Sequence, residues 1–466
     1  MSKRVHFQGT HKSEKVTGVL KKRGGEYFII TKFEQNPETF EIPIEEFLED
    51  FENKGITLKV QSSPWGVGLF KNGFPEGGIE FSNCAVYPEY KYASDTAYEK
   101  FQDMKFGMMI HWGFYSQLGV TESWCANGSM TDQEFFDIYY TLWQVFNPVE
   151  FNADEWAALA ERAGMQFFQF TTKHHDGFCM FETKTETMAR KRRPTQGPVV
   201  GLVEDVKMNF SIMDTLFKHD IVGELIAAFR KRKLGVGLYY SNIDWNDPNF
   251  RWHNVSRMFD PDYSPKTHPE EWKAMVERQR EQLREIFSNY GEIDQMFFDG
   301  GWPLVGLKDM EEIILMCRKL QPNCMMSDRG LGPYGDFTSP ERWIPKSVDD
   351  ERITGRHQKL WQVCDPIHGS WAYLPNDVYK GKEELLHNLI DAISKGGTYV
   401  FAVSPMPNGK FPAKTIEILE FMGDWLKING EAVYNTRKWK KSKEEGQEIF
   451  YTQSKDGKSL YVIFLG

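Results

Sequence analysis

Seven short apolar runs, each followed by a loop of polar and aromatic residues, constrain this sequence more than any other feature. The runs are Phe106–Ile110, Gln166–Thr172, Gly235–Ser241, Gln295–Phe298, Cys324–Ser327, Leu360–Cys364 and Thr398–Val403. Amphipathic helical segments such as Ala153–Ala163, Asp220–Lys233 and Pro269–Asn289 lie between them. A strand buried on both faces reads as a near-continuous apolar run, and strand–helix alternation at this scale means parallel strands with helical crossovers. Seven runs over about 320 residues fit a (β/α)8-like, TIM-type barrel of the α/β class better than an open doubly wound sheet. No GxGxxG or GxxxxGKS/T follows any run, which removes the usual signature of nucleotide-binding open sheets.

At 466 residues the chain exceeds one ordinary domain. Residues 1–95 read as a small N-terminal accessory domain of α+β type. It has a strand at Glu26–Thr31, a short acidic helix at Ile42–Phe51 and a Gly/Pro-rich connection over 66–78, with no catalytic constellation. Residues 96–428 hold the barrel. Residues 429–466 turn to β pattern, with strands expected at Glu448–Thr452 and Leu460–Phe464. Two short strands cannot enclose a core, so they either pack on the barrel or belong to a longer domain that has been cut.

The net charge of −10 argues against nucleic acid and anionic membranes as partners. No apolar run reaches the length of a membrane span, and the polar, basic N-terminus lacks the apolar core of a signal peptide. Six cysteines (84, 125, 179, 317, 324 and 364) show no CxxC and no metal-like spacing. A cytoplasmic location is the expectation, although a secreted or periplasmic chain without its leader would read the same. Oligomer formation is left open.

Every run but the last ends in chemistry. The first leads into His111-Trp112-Gly113, the second into Lys173-His174-His175-Asp176-Gly177, and the third ends in Tyr239-Tyr240-Ser241. The fourth stops at Asp299-Gly300-Gly301-Trp302, the fifth at Asp328-Arg329-Gly330, and the sixth leads through Asp365 to His368-Gly369-Ser370-Trp371. A barrel builds its active site from the loops after its strands, so these residues are expected to converge on one mouth.

Histidines, aromatic rings and an arginine around carboxylates suit a neutral polyhydroxylated ligand. Imidazoles hydrogen-bond hydroxyls, and indole faces such as those of Trp302 and Trp371 stack on sugar C–H groups. Glycoside hydrolysis needs two carboxyl groups, one nucleophile or base and one acid. Asp299, at the point where an apolar strand leaves the core, is the first candidate. The loop Gly332–Arg342 offers Asp336 and Glu341 as the second. A metal on His174, His175 and Asp176 is the weaker reading, because neighbouring strand residues point to opposite faces and no HExxH or Cys/His cluster is present. No cofactor and no metal are expected.

Several stretches carry a family resemblance. They are Lys105–Gly113 (KFGMMIHWG), Thr172–Phe178 (TKHHDGF), Gly237–Ser241 (GLYYS), His219–Leu225 (HDIVGEL) and Asp391–Gly397 (DAISKGG). In these, from about Lys105 to Asn435, the chain resembles the retaining α-L-fucosidases of glycoside hydrolase family 29. The resemblance implies an exo-acting hydrolase that removes terminal α-L-fucosyl residues from a fucosylated oligosaccharide or glycoconjugate. It implies Asp299 as nucleophile, His111, His174 and His175 as ligands of the fucose hydroxyls, and Arg329 as the arginine near the nucleophile. It likewise implies Glu341 as acid/base, with Glu122, Trp124 and Tyr240 facing the sugar. The chain departs from the family pattern at Phe297, where a Trp is common, and at Gln362, where a Glu is frequent. Another fucose-like sugar, a non-catalytic fucose-binding barrel and a metal-dependent barrel using His174, His175 and Asp299 are the rival readings.

Overall fold

The computed structural model describes residues 90–466 apart from 121, 127–138, 191–202, 254–258, 261, 303–306, 332–333, 348–349, 351–352 and 354–359; for 188–190, 203–206 and 307, and for seven strands within 1–89, it describes the backbone alone. Eight parallel strands follow one another around a barrel in chain order. They are β1 Phe106–Ile110, β2 Phe167–Lys173, β3 Gly235–Ser241, β4 Gln295–Asp299, β5 Met325–Met326, β6 Phe337–Thr338, β7 Leu360–Pro366 and β8 Thr398–Val403. β8 pairs with β1, and a parallel bridge from Ser327 to Phe337 joins β5 to β6, so the ring is closed.

All seven expected runs are strands. The eighth, β6, has only two residues and lies inside the stretch read as a loop. The helices α1 Asp95–Asp103, α2 Ala153–Arg162, α3 Ile221–Lys231, α4 Pro269–Asn289, α5 Leu307–Leu320, α6 Lys382–Ser394 and α7 Ala413–Asn429 clothe the barrel. α2 begins at Asn152, whose side chain accepts from the Asp154 and Glu155 amides, and α3 at Asp220, which accepts from Gly223. Among the described residues no α-helix separates β5 from β6. There α1 packs Ala97, Tyr98 and Phe101 against Met325, Phe337 and Leu360.

Asp336 is fully buried in this region. It is paired with Arg318 at 2.5 Å and accepts from the Ala93 and Met326 amides and the Tyr98 hydroxyl. With its oxygens so occupied, Asp336 fastens α1 and α5 to the barrel and is withdrawn as a candidate acid.

Side-chain parity sorts the barrel interior from its outside. Met109, Phe167, Tyr239, Phe297, Cys364, Val400 and Ala402 form one inner cluster, while the alternate residues join the larger helix-covered core. Gln362 also points inward and donates to Gln169 at 2.7 Å. Among residues 1–89, strands Arg4–His11, Glu14–Arg23, Glu26–Phe33, Asn36–Pro43, Leu58–Ser63, Gly66–Lys71 and Ile79–Asn83 form one antiparallel sheet. The expected acidic helix at 42–51 begins within the end of one of these strands, and its remainder lies outside the described residues.

At the C-terminal end, β9 Thr436–Lys443, β10 Ile449–Ser454 and β11 Leu460–Phe464 form a three-stranded antiparallel sheet. It is tied to the barrel by Arg437 and Lys455, which reach Glu99 and Asp103 of α1.

Candidate active site

Asp299 closes β4 at the barrel mouth, with a side chain 14% exposed. The next residue, Gly300, has φ +72°, and a β-carbon there would lie 2.6 Å from Ile243. Asn242 fixes the turn, its amide donating to the Asp299 carbonyl and its side chain to the Gly300 carbonyl, both at 2.7 Å. The carboxylate is held on two sides. Tyr239 donates to Oδ2 at 2.8 Å, and Arg329 Nε lies 3.4 Å from Oδ1. A hydrogen bond to a charged acceptor is worth about 1.5–3 kcal/mol and fixes its direction.

Arg329 reaches two carboxylates at once, since its Nη2 donates to Glu341 Oε2 at 2.7 Å. Its guanidinium also lies 5.2 Å over the Phe297 ring, which stacks on Tyr239 at 5.5 Å. Phe297 is thus the floor beneath the site, buried out of reach as a sugar platform. Burial opposes the charge of Arg329, but the Asp299 and Glu341 carboxylates outweigh it and hold the guanidinium above its ordinary value.

The three histidines come from two strand ends. A register shift in the β2–β3 pairing, Tyr239 opposite Thr171 and Tyr240 opposite Lys173, places Lys173 on the outer side over the Tyr240 ring. Beyond the strand the pleat no longer applies, and His174 and His175 both face the mouth. Their Nδ1 atoms meet the Ser123 and Ser241 hydroxyls, and His111 Nδ1 meets Tyr115 at 2.9 Å. The rings crowd together, His111 to His174 at 4.5 Å and His174 to His175 at 4.2 Å, and His175 Nε2 is 3.8 Å from Asp299 Oδ2. Burial, with neighbouring cations and imidazoles, pushes all three well below the usual histidine value. Neutral imidazoles with one nitrogen engaged present the other to a ligand hydroxyl as donor or acceptor.

The rest of the Lys-His-His-Asp-Gly motif is scaffolding. Lys173 and Arg278 meet the fully buried Asp244 at 3.4 and 2.6 Å. Asp176 accepts from Tyr139 at 2.6 Å and from the Phe178 amide. Gly177, φ +81°, has no room for a β-carbon beside Asp244.

Two expected contacts fall elsewhere. Tyr240 points away from the mouth and donates to Gln282 of α4 at 2.7 Å, because it has the parity opposite to Phe297 and Asp299; Tyr239 holds the position assigned to it. Trp302 is buried with its ring toward Trp272 of α4, so it is a packing residue and not a stacking face. Trp124, 40% exposed, stands edge-on to His175 at 5.5 Å and to Trp245 at 5.3 Å. Trp371 lies 6.2 Å from His111. Glu122 is buried next to Ser123 and, after burial and Asp176, helps raise the Tyr115 phenol. Tyr115, Ser123 and Asn242 were not singled out from sequence, and Tyr239, Ser241 and Trp245, at or just after the end of the third run, were given no individual role. Strand parity, which groups Tyr239 and Ser241 with Gly237, was the available signal for two of them.

The buried histidines make stability pH-dependent. An imidazole held below 6.5 in the fold binds its proton more readily in the unfolded chain, so stability is lost as pH falls below 6.5. Asp176, pushed up to about 7 by burial, acts in the opposite direction, since its penalty relaxes as it protonates. Three imidazoles against one carboxyl leave a net loss of stability on acidification, to which His253 and His368, also held below the usual histidine value by burial, add in the same sense. Thermal melts between pH 6.5 and 5 should show Tm dropping steadily; a flat or rising Tm would contradict the buried neutral triad.

A protein-family model described as alpha-L-fucosidase matches residues 86–431. The plasma alpha-L-fucosidase of Rattus norvegicus is 28% identical over 392 residues, covering 78% of this chain and 76% of that protein. Among solved structures, alpha-L-fucosidase isoenzyme 1 from Paenibacillus thiaminolyticus superposes with a TM-score of 0.64 at 27% identity, covering 78% of this chain and 82% of the other. Thermotoga maritima alpha-fucosidase in complex with fucose gives 0.60 at 26% identity, over 81% and 86%.

Proposed function

The chain belongs to the α-L-fucosidase family, glycoside hydrolase family 29, and from that premise we propose that it is an exo-acting, retaining α-L-fucosidase. The observation that carries this reading is the carboxylate of Asp299, aimed by Tyr239 and Arg329 into a mouth walled by three neutral imidazoles. In the first step an Asp299 oxygen attacks the anomeric carbon, the glycosidic C–O bond breaks, and Glu341 gives its proton to the departing oxygen. In the second, Glu341 takes a proton from water, whose oxygen attacks the same carbon and releases Asp299. Two inversions give net retention. His111, His174 and His175 bind the sugar hydroxyls, with Trp124 and Trp371 bounding the cleft. The substrate is a fucosylated oligosaccharide or glycoconjugate.

One atom of each of His174, His175 and Asp299 lies within 4.8 Å of the others, a spacing that could also gather a metal ion. The Arg329 guanidinium beside Asp299 disfavours it, because a dication would add charge where one carboxylate is already shared with a fixed cation. A panel of 4-nitrophenyl glycosides, assayed with and without EDTA, tests both readings. Turnover of the α-L-fucoside that survives chelation is expected. Loss with EDTA and recovery with added metal would overturn the metal-free mechanism, and preference for another glycoside would move the sugar assignment.

A further inference from the structure

Glu341 is followed by Arg342, whose placement the proposed hydrolysis does not use. Its backbone has φ +60°, a region that residues with a β-carbon seldom occupy. It is fixed there by its amide, which donates to the Cys364 carbonyl at 3.0 Å, and by the Glu341–Cys364 bridge. The result is a reversal of direction. Glu341 turns inward to Arg329, while the Arg342 guanidinium lies 5.1 Å over the Trp371 ring and donates to the Gly369 carbonyl at 3.1 Å.

The loop beneath this stack is braced. Asp377 accepts from the Gly369 and Ser370 amides at 3.1 and 3.0 Å, and Ser404 donates to the Trp371 carbonyl at 2.5 Å. An exposed arginine stacked on an indole held by its own loop is an organised surface, in contrast to a solvated side chain.

Charge sets Arg342 apart from the other arginines around the mouth. Arg329 is shared by Asp299 and Glu341, and Arg278 is held by Asp244 and Asp247. Arg342 has no carboxylate partner among the described residues. A guanidinium offers five N–H donors in one plane, and among the described residues the bond to Gly369 engages one of its nitrogens. Its position follows from chemistry. Glu341 must deliver its proton to the glycosidic oxygen, so the group attached to that oxygen lies on the side of Glu341 away from Asp299. There it meets the next residue and the indole below it.

We propose that Arg342 and Trp371 form the leaving-group subsite, and that the preferred leaving group is a sugar bearing an anionic substituent, a carboxylate or a sulfate ester. The indole holds the guanidinium from beneath and offers its edge to the ring, and the guanidinium pairs with the anion in the planar two-donor geometry that both groups accept. This rests on the fucosidase reading and names its substrate class.

The test compares fucosyl disaccharides of one linkage whose leaving sugar is galactose, 6-O-sulfated galactose or galacturonate. kcat/KM is measured for the wild type, Arg342→Gln and Arg342→Lys, each rate being referred to that on the neutral disaccharide so that a general loss cancels. The wild type should prefer at least one anionic substrate by about tenfold, equal to about 1.4 kcal/mol. The preference should vanish in Arg342→Gln, persist in part in Arg342→Lys, and shrink as salt is raised. The sulfate and carboxylate arms identify which anion is read. A wild-type ratio at or below one for both anions, or a ratio unchanged in Arg342→Gln, would overturn the proposal. A wild type inert on 4-nitrophenyl α-L-fucoside and on all three disaccharides would remove the fucosidase reading as well.

Discussion

Asp299→Asn lowers kcat on 4-nitrophenyl α-L-fucoside by about 10⁴-fold or more, the scale of loss when a covalent nucleophile is removed. The substitution keeps the shape of the side chain and leaves the Gly300 turn, which Asn242 holds through backbone carbonyls, intact. It removes the negative charge, and with it the electron pair that forms the bond to the anomeric carbon. Binding should survive far better than turnover, because the imidazoles of His111, His174 and His175 are anchored through Tyr115, Ser123 and Ser241 and do not depend on Asp299 for their orientation. Calorimetric titration with fucose is therefore expected to show Kd weakened by no more than about 10- to 150-fold, one charge-assisted contact being worth about 1.5–3 kcal/mol. A second variant, Asp299→Gly, opens space at the same point. Added azide should restore part of the rate and yield a fucosyl azide of inverted configuration, since only one displacement then occurs. An Asp299→Asn enzyme within a factor of ten of the wild type would end the assignment.

How far the sequence carries this picture depends on which interactions are local. The seven apolar runs are legible because burial on both faces of a parallel strand writes itself into consecutive residues. β6 is not legible: with two residues it has no run to read, and it exists because the Asp336 amide donates to the Met326 carbonyl of β5 and the Phe337 carbonyl accepts from the Asp328 amide just beyond β5. Asp299 and the histidines are legible because strand ends in a barrel converge whatever the intervening sequence. Orientation is harder. Tyr239 and Tyr240 are chemically identical, and only register against β4, with Tyr239 opposite Phe297 and Ser241 opposite Asp299, assigns one to the mouth and the other to α4. Likewise Asp336 and Glu341 share a loop, yet a buried arginine of α5 claims the first and leaves the second at the rim. Such choices are made by contacts many residues away, and no local pattern records them.

The acid/base assignment of Glu341 makes the sharper kinetic prediction, because its loss should depend on what is leaving. With a disaccharide the departing alkoxide is a strong base and needs the proton, so Glu341→Ala should cut kcat/KM by about 10³–10⁴-fold, the upper range for general acid catalysis. With 2,4-dinitrophenyl fucoside the leaving group needs little help, and kcat/KM should fall by about tenfold or less. Its kcat should still collapse, since the second step has lost the base that activates water. A rapid burst of dinitrophenolate followed by slow turnover is the expected time course, with one fucosyl unit found on the enzyme by intact mass. Arg329 links the two carboxyl groups. In the free enzyme its guanidinium is divided between Asp299 and Glu341. Once Asp299 becomes an ester, the guanidinium is left to Glu341 alone and keeps that side chain in place for the second step. Equal losses on both substrates would show that Glu341 shapes the pocket without moving a proton, and the acid would then have to be sought on a loop other than that of the buried Asp336.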